Sequence, residues 1–404
     1  MNISKIHQDF PLLQEGIKGK PVIYFDSACQ TLRPLPVIEA INEYYLKYPA
    51  CAGRSVHKLG ELVTKKCDEA RKAVAHFINA KRKEEIIFTR NTTEGINLVA
   101  NSLGLKPGDV VITTDKEHNS NLVPWQMLAQ RGGIIHKIVL SKDDNTFDPE
   151  ALAEMMNDKV KLVSMVYTSN LDGVTIPARN IIEIARQHGA KVLLDAAQTV
   201  PHQKIDVKKL DADFLAFSGH KMLGPSGIGI LYGKHQLLEK LEPFLVGGDT
   251  VEYSTYKTHK FLPLPEKFEA GLQNYAGIIG LGAAVKYLGK VGFKNITQQE
   301  HRLNKFITGE MDKIPQITIL GPRDPVLRGG TISFYVKGVD PHQIALVLDE
   351  SANIMVRSGQ HCVHSWFNSR NIPGSVRASL YFYNTLEEAE IFITNLQKVV
   401  ELLT

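Results

Sequence analysis

Short apolar runs alternate with amphipathic stretches along the first half of the chain. Residues 85–89, 109–113 and 161–167 are apolar runs of strand length. Apolar side chains recur at helical spacing in other stretches, such as 61–79 and 178–188. Strands that alternate with helices are typical of a mostly parallel sheet covered by helices on both faces. The pattern therefore predicts an α/β fold.

The stretch 191–233 continues this pattern and carries the first sign of chemistry. It predicts a buried strand that ends at Asp195, a second strand at 214–218 that leads to Lys221, and a third apolar run at 228–232. Ligands of open α/β sheets bind in the crevice at the strand ends. Asp195 and Lys221 should therefore converge on one place.

A lysine and a carboxylate that meet in this way suit pyridoxal 5'-phosphate (PLP). Lys221 could form a Schiff base with the PLP aldehyde, and Asp195 could keep the pyridinium nitrogen protonated so that the ring acts as an electron sink. Ser218 and His220 are placed to hydrogen-bond the phosphate, and Gln198 is placed to donate to the ring oxygen. Most lysines coat the surface, but a position between an apolar strand and a glycine-rich turn favours a functional Lys221.

Two further groups follow predicted strand ends. Thr92 and Thr93 open a helix after the strand at 85–89, and the free amides of a helix start favour an anion such as phosphate. Simple helix capping would account for one of the two threonines. His118 follows the strand at 109–113; a lone histidine is more often structural, but this position favours a role in the site.

The last hundred or so residues predict a second, smaller unit. Helices are expected at 297–314 and 340–350 and strands at 331–336 and 375–381, and a capping box at Thr385 and Glu388 opens the last helix. This α+β pattern of antiparallel strands and helices predicts a small domain made of 1–21 and 289–404. A large domain would then span 22–288.

Composition excludes several classes of function. The 404 residues are 43% hydrophobic and 22% charged, and the net charge is +4, with basic residues scattered rather than massed. Nucleic-acid binding is therefore not suggested, and no apolar run approaches the roughly 20 residues of a membrane span. The chain start lacks the layout of a signal peptide, so we expect a cytoplasmic protein. The four cysteines show no CxxC spacing and should be free thiols.

Several motifs together resemble a known family. DAAQ at 195–198, SGHK at 218–221 followed by GPSGIGILYGK, EHNSN at 117–121 and the segment RSGQHC at 357–362 resemble the class-V aminotransferases of PLP fold-type I. The closer resemblance is to the SufS-like second group of cysteine desulfurases. It implies that Lys221 holds PLP and that His118 stacks on the PLP ring. The remaining implied cofactor contacts are Thr92, Thr93, Asn170, Asp195, Gln198, Ser218 and His220.

The resemblance also implies a reaction. Cys362 would take sulfur from PLP-bound L-cysteine, and L-alanine would leave; L-selenocysteine is the alternative substrate. Arg377 would grip the substrate carboxylate. Arg357 or a protonated His361 would raise the reactive thiolate fraction of Cys362. The further implied substrate contacts are Arg357, Asn170 and His57. A homodimer, a sulfur-acceptor protein and a role in iron–sulfur cluster biosynthesis fit the same resemblance.

The sequence departs from the family pattern at several positions. Leu272 replaces a threonine that reaches the phosphate of the partner subunit's cofactor, and Gln360 replaces a histidine. Gly53 also departs from the family's motif at this place, of which Arg54 and His57 are retained. Cys29 stands where relatives have a small residue, and we expect it to be a buried small apolar side chain.

Other functions stay open at this point. The departures leave room for a selenocysteine lyase or a cyst(e)ine C–S lyase of the same PLP class. A phosphate loop is disfavoured because Ile228 stands where its first glycine would be and His235 replaces Ser or Thr. A zinc site at His361, Cys362 and His364 lacks a fourth ligand, so we expect no metal. A scaffold without catalysis does not fit the intact Lys221.

Overall fold

The computed structural model describes residues 2–404. Its α-helices are Ile3–His7 (α1), Pro11–Glu15 (α2), Leu35–Lys47 (α3), Lys58–Phe77 (α4), Thr92–Ser102 (α5), Asn119–Gly132 (α6), Pro149–Met155 (α7), Ala178–Gln187 (α8), Val207–Leu210 (α9), His235–Lys240 (α10), Tyr275–Val291 (α11), Phe293–Met311 (α12), Pro341–Ala352 (α13), His364–Ser369 (α14) and Leu386–Leu403 (α15). Its strands are Ile23–Tyr24 (β1), Ile86–Thr89 (β2), Val110–Thr114 (β3), Ile135–Val139 (β4), Val160–Val166 (β5), Lys191–Asp195 (β6), Phe214–Ser218 (β7), Gly229–Gly233 (β8), Val251–Ser254 (β9), His259–Phe261 (β10), Ile317–Ile319 (β11), Thr331–Val336 (β12), Ile354–Met355 (β13), Arg357–Gly359 (β14) and Ser375–Ser379 (β15).

A seven-stranded sheet forms the centre of the large unit. Its strand order is β2-β8-β7-β6-β5-β3-β4. The pairs β7 to β6, β6 to β5, β5 to β3 and β3 to β4 are parallel, whereas β8 is antiparallel to both of its neighbours. A connection as short as the one between β7 and β8 cannot return the chain for a parallel pairing. The predicted mostly parallel α/β sheet is confirmed.

The sheet is buried on both faces. Adjacent residues of β5, such as Leu162 and Val163, belong to two different hydrophobic clusters, and the same alternation occurs at Leu193 and Leu194 of β6. Successive side chains of a strand point to opposite faces, so each cluster is one layer of helices packed on the sheet. This double burial explains why the strands read as continuous apolar runs.

The small unit has its own sheet and core. Its strand order is β11-β12-β15-β14, and all three pairs are antiparallel. Helices α12, α13 and α15 contribute buried residues to its core, and Thr385 caps α15 in the predicted capping box with Glu388. The register places Arg357 opposite Arg377, so two guanidinium groups leave the sheet at one point.

The apolar residues at 22–26 do not join the large sheet. Only Ile23–Tyr24 forms a strand, and it pairs in parallel with Ile354–Met355 of the small unit. Ile23 and Phe25 are buried in the core of that unit. The domain boundary at residue 22 stays a prediction. Because Ile23 and Phe25 pack in the core of the small unit, we favour placing residues 23–25 with that unit.

Helix α11 is largely buried and packs against α3 and α4. Within residues 2–404, no single helix is long and apolar enough to cross a membrane, although α11 and α12, bent by 73° at their junction, meet that requirement as a pair.

Substituting Gly229 should disturb the start of α5. A Cβ atom at Gly229 would lie 2.5 Å from Cα of Asn91, whose side chain caps α5 by accepting from Glu94 N. We expect Gly229→Ala to lower the free energy of unfolding by about 1 to 3 kcal/mol, measured by urea denaturation. Gly132→Ala is the control, because a Cβ there meets nothing within 4 Å and should be neutral or stabilise by less than about 1 kcal/mol. Equal stabilities of the two variants would contradict this account.

Candidate active site

The predicted catalytic pair lies at the carboxyl ends of two neighbouring strands. Asp195 ends β6, and Lys221 lies in a short 3₁₀ turn directly after β7. Both side chains line one cavity of about 210 Å³. Asp195 is 4% exposed; burial raises the pKa of its carboxyl group, while Lys221 and the Ala197 N–H oppose that rise. Burial lowers the pKa of Lys221, and Asp195 opposes that shift.

The same cavity collects all but one of the predicted site residues. Those that line it are Thr92, Thr93, His118, Asn170, Asp195, Gln198, Ser218, His220, Lys221, Arg357, Cys362 and Arg377. His57 is the exception: it is exposed, and its Nδ1 accepts from Gly60 N as the cap of α4. Within this chain, His57 therefore serves the helix start.

One end of the cavity is built from the start of α5. The Thr92 N–H donates to Ser218 Oγ over 2.9 Å, and the two hydroxyl oxygens are 2.6 Å apart. Thr93 Oγ1 lies 2.7 Å from Ser120 Oγ. A helix start with several hydroxyl groups can hold an anion, because amides and hydroxyls donate to it and the helix dipole favours negative charge. This end is the predicted phosphate position.

His118 is held in one tautomer. It caps α6, and its Nδ1 accepts from the Ser120 N–H over 3.1 Å. Burial, together with Lys221, Arg377 and His364, lowers the pKa of His118 to about 3. The ring is therefore neutral and carries its proton on Nε2.

Two arginines line the cavity, and the carboxylate of Asp26 lies beside both of them. Arg377 is 3% exposed; its Nη1 donates to Asn170 O over 3.0 Å, and its Nη2 lies 3.4 Å from Asp26 Oδ1. Arg357 Nη1 lies 3.7 Å from Asp26 Oδ2. One carboxylate thus faces two guanidinium groups, which leaves an excess of positive charge. Sequence reasoning missed Asp26, because its contacts with Arg377 and Arg357 join distant parts of the chain.

Three polar atoms of the residues that line this cavity are buried without a partner. These are Nε of Arg377, Oδ1 of Asn170 and Nδ1 of His361. Buried polar groups normally have hydrogen-bond partners, so a donor and an acceptor left open in one cavity indicate a place for a ligand. Together with Lys221 and Asp195, these groups fit PLP and an amino-acid carboxylate.

The Cys362 loop closes over the cavity from the small unit. Cys362 is exposed, and both His361 and Cys362 have left-handed backbone conformations with φ of 48° and 60°. Asn119 N donates to the Cys362 carbonyl over 2.7 Å, and Asn170 Nδ2 donates to the His361 carbonyl over 2.7 Å. Two residues of the large unit therefore fix the turn that carries the thiol. Sequence reasoning missed Asn119, since a backbone donor leaves no side-chain signal.

The expectation of a protonated His361 is wrong. Burial, with Arg377 and Arg357 nearby, lowers its pKa to about 2. His361 Nε2 lies 2.8 Å from Ser375 Oγ. A neutral His361 ring cannot supply the positive charge that was expected beside Cys362. Of the two residues that were expected to supply it, only Arg357 remains.

Three further positions singled out in the sequence have defined surroundings in this chain. Gln198 Nε2 donates to the Ala28 carbonyl over 2.6 Å, so its amide also holds the turn after β1. Gln360 Nε2 donates to Asn368 Oδ1 and to Pro373 O. These hydrogen bonds hold the Cys362 loop against the segment that follows it in the chain. Leu272 is 71% exposed and does not line the cavity.

The expectation of a buried apolar Cys29 also needs correction. Its side chain is half-buried and lines the cavity, and Arg357 Nη1 donates to its Sγ over 3.2 Å. A polar contact of this kind does not fit a packing role.

Metal binding finds no support in the described part of the chain. Among residues 2–404, no three His, Cys, Asp or Glu side chains are grouped so that they could hold a metal ion. His364 Nδ1 instead accepts from Asn119 Nδ2 over 2.8 Å.

The fold and the cavity define a class of α/β proteins. In this class, a lysine and a carboxylate at the ends of neighbouring strands share one cavity with a loop from a smaller, antiparallel unit. Residues 23–392 match the family model of the class-V aminotransferases. The chain belongs to this family, and the predicted resemblance is confirmed.

Individual relatives are similar over nearly the whole chain. A probable cysteine desulfurase of Pyrococcus abyssi is 45% identical over 401 residues, which covers 98% of this chain and 97% of the relative. One of Halalkalibacterium halodurans is 41% identical over 404 residues, with 99% and 98% covered. The apo structure of a cysteine desulfurase from Thermococcus onnurineus NA1 is 42% identical, covers 99% of this chain and 98% of its own, and has a TM-score of 0.94.

A buried neutral His361 should make stability depend on pH. Its folded pKa of about 2 lies below the unfolded value of about 6.5, so the unfolded state binds more protons as the pH falls and stability is lost. Between pH 7.5 and pH 5 this residue alone should cost about 2 kcal/mol. We expect His361→Asn to reduce the difference between the two pH values by about that amount in urea denaturation. An unchanged difference would show that His361 is not held neutral.

Proposed function

We propose that the chain is a PLP-dependent cysteine desulfurase that converts L-cysteine to L-alanine and transfers the sulfur to Cys362 as a persulfide. The observation that carries this proposal is the position of Cys362, an exposed thiol that lines the same cavity as Lys221 and Asp195. The relatives named cysteine desulfurases support it.

The substrate carboxylate is assigned to Arg377. Its guanidinium is buried, and Nε has no partner in the protein. A guanidinium can bind a carboxylate through two parallel hydrogen bonds, which fixes the orientation of the amino acid as well as its position. Arg357, more exposed and opposite Arg377 in the sheet, adds positive charge at the cavity mouth.

Three residues hold or move protons around the cofactor position. Bound PLP supplies an electron sink for the substrate. Asp195 is placed to accept a hydrogen bond from a ring nitrogen, and Lys221 is placed to hold the cofactor and to carry a proton to or from the substrate. His118 presents its Nε2 proton from a neutral ring.

Cys362 performs the sulfur transfer. Its thiolate attacks the substrate sulfur, so an S–S bond forms while the substrate C–S bond breaks. The electron pair of the broken bond stays with the substrate carbon, which takes a proton and leaves as alanine. The fixed turn at 361–362 holds the nucleophile near the cavity without blocking it.

A homodimer belongs to the same proposal. Exposed apolar residues cluster in sequence around the hairpin of β9 and β10 and the segment after it: Phe244, Leu245, Val246, Tyr253, Tyr256 and Leu272. Exposed apolar surface of this extent commonly marks a protein interface. We also propose a sulfur-acceptor protein, a role in iron–sulfur cluster biosynthesis and a cytoplasmic location, which follow from the family resemblance.

Removing the proposed nucleophile should separate sulfur transfer from cofactor binding. After one addition of L-cysteine, the wild type should form alanine and carry a persulfide on Cys362, whereas Cys362→Ala should keep the visible absorbance of bound PLP and carry none. Alkylation followed by mass spectrometry of the peptides measures this. Cys51→Ala is the control, because Cys51 is exposed and does not line the cavity. Sulfide release by Cys362→Ala at the wild-type rate would favour a C–S lyase instead.

Charge at the proposed interface should weaken the dimer. We expect wild-type protein to have twice the chain mass in light scattering and Leu272→Asp to shift toward the monomer, because a buried unpaired carboxylate is costly. Leu402→Asp is the matched control, since Leu402 is 73% exposed but lies near the end of α15. A wild-type monomer, or an equal effect of both variants, would contradict this assignment.

A further inference from the structure

The active-site cavity contains a second thiol. Cys29 follows β1, and its N–H donates to Asp26 O over 3.1 Å. The turn is fixed on both sides, because Ala28 N donates to Ser379 Oγ and the Ala28 carbonyl accepts from Gln198. The turn that carries Cys29 is thus held by β15 of the small sheet and by the turn after β6 of the large sheet.

Cys29 has a cationic neighbour at the cavity wall. Arg357 Nη1 donates to Cys29 Sγ over 3.2 Å. Cys29, Cys362 and Lys221 all line the same cavity.

The cavity between the two thiols is prepared for a ligand. Asn170 Oδ1 and Arg377 Nε face this cavity as buried polar atoms without partners. This cavity has a volume of about 210 Å³, and both Cys29 and Cys362 line it.

We propose that Cys29 is a second sulfur-accepting residue, which receives sulfur from the persulfide of Cys362. The Cys29 thiolate attacks the outer sulfur of that persulfide; a new S–S bond forms on Cys29, the old S–S bond breaks, and Cys362 leaves as a thiolate. The exchange needs no oxidant or reductant, because one persulfide replaces another. Cys362 is then free to take a second sulfur from substrate. This inference rests on the proposed function of Cys362.

The other two cysteines provide internal controls. Cys51 is exposed but lies outside the active-site cavity. Cys67 is buried, and burial raises its pKa to about 12. Sulfur that reached cysteines through solution would label Cys51, whereas transfer inside the cavity would not.

The test follows sulfur from labelled substrate to each cysteine. Full-length protein loaded with PLP receives about two equivalents of ³⁵S-labelled L-cysteine per chain without an acceptor. The reaction is stopped by alkylation, and each cysteine peptide is analysed by mass spectrometry, with alanine measured in parallel. We expect sulfur on both Cys362 and Cys29 in the wild type. In Cys29→Ser we expect sulfur on Cys362 alone and about twofold less alanine.

Each outcome decides the matter. Sulfur on Cys362 alone in the wild type overturns the proposal, as does a Cys29–Cys362 disulfide with released hydrosulfide. Cys362→Ser should leave Cys29 unlabelled; equal labelling of Cys29 in that variant overturns the proposed order of transfer. Label on Cys51 equal to that on Cys29 shows transfer through solution. No sulfur on Cys362 in Cys29→Ser refutes the proposed function itself, which separates the two failures.

Discussion

An excess of positive charge governs this site. Lys221, Arg357 and Arg377 meet around one cavity, and Asp195 and Asp26 are the carboxylates whose charges act on them. Taking charges out of water is costly unless opposite charges or hydrogen bonds compensate. An anionic ligand supplies that compensation, which is why the cavity suits a phosphate at one end and a carboxylate at the other.

The same excess of positive charge helps to explain why the histidines of the site have lowered pKa values. His118, His220 and His361 all have lowered pKa values; burial is the first cause in each case and a neighbouring cation the second. Neutral rings add no further positive charge to a site that already has too much. They can still donate or accept hydrogen bonds, so these residues orient neighbours rather than attract anions.

The sequence was sufficient for the elements that are continuous in the chain. The strand ends at Asp195 and Lys221 were predictable because apolar runs locate buried strands and polar residues follow them. Contacts that join distant segments were not. Asp26 gains its role by facing Arg377, about 350 residues away in sequence, and the strand before it pairs with Ile354–Met355 rather than with the large sheet. The length of an apolar run does not specify its pairing partner.

The Cys362 turn shows how such distant contacts are used. Left-handed backbone at a residue other than glycine is unfavourable, and here two such residues stand in succession. Donors from Asn119 and Asn170 hold both carbonyl groups, so the large unit stabilises a conformation that the loop alone would not keep. The Cys362 thiol is therefore held at the cavity only when the two units are docked. The proposed sulfur transfer depends on that docking as much as on the thiol.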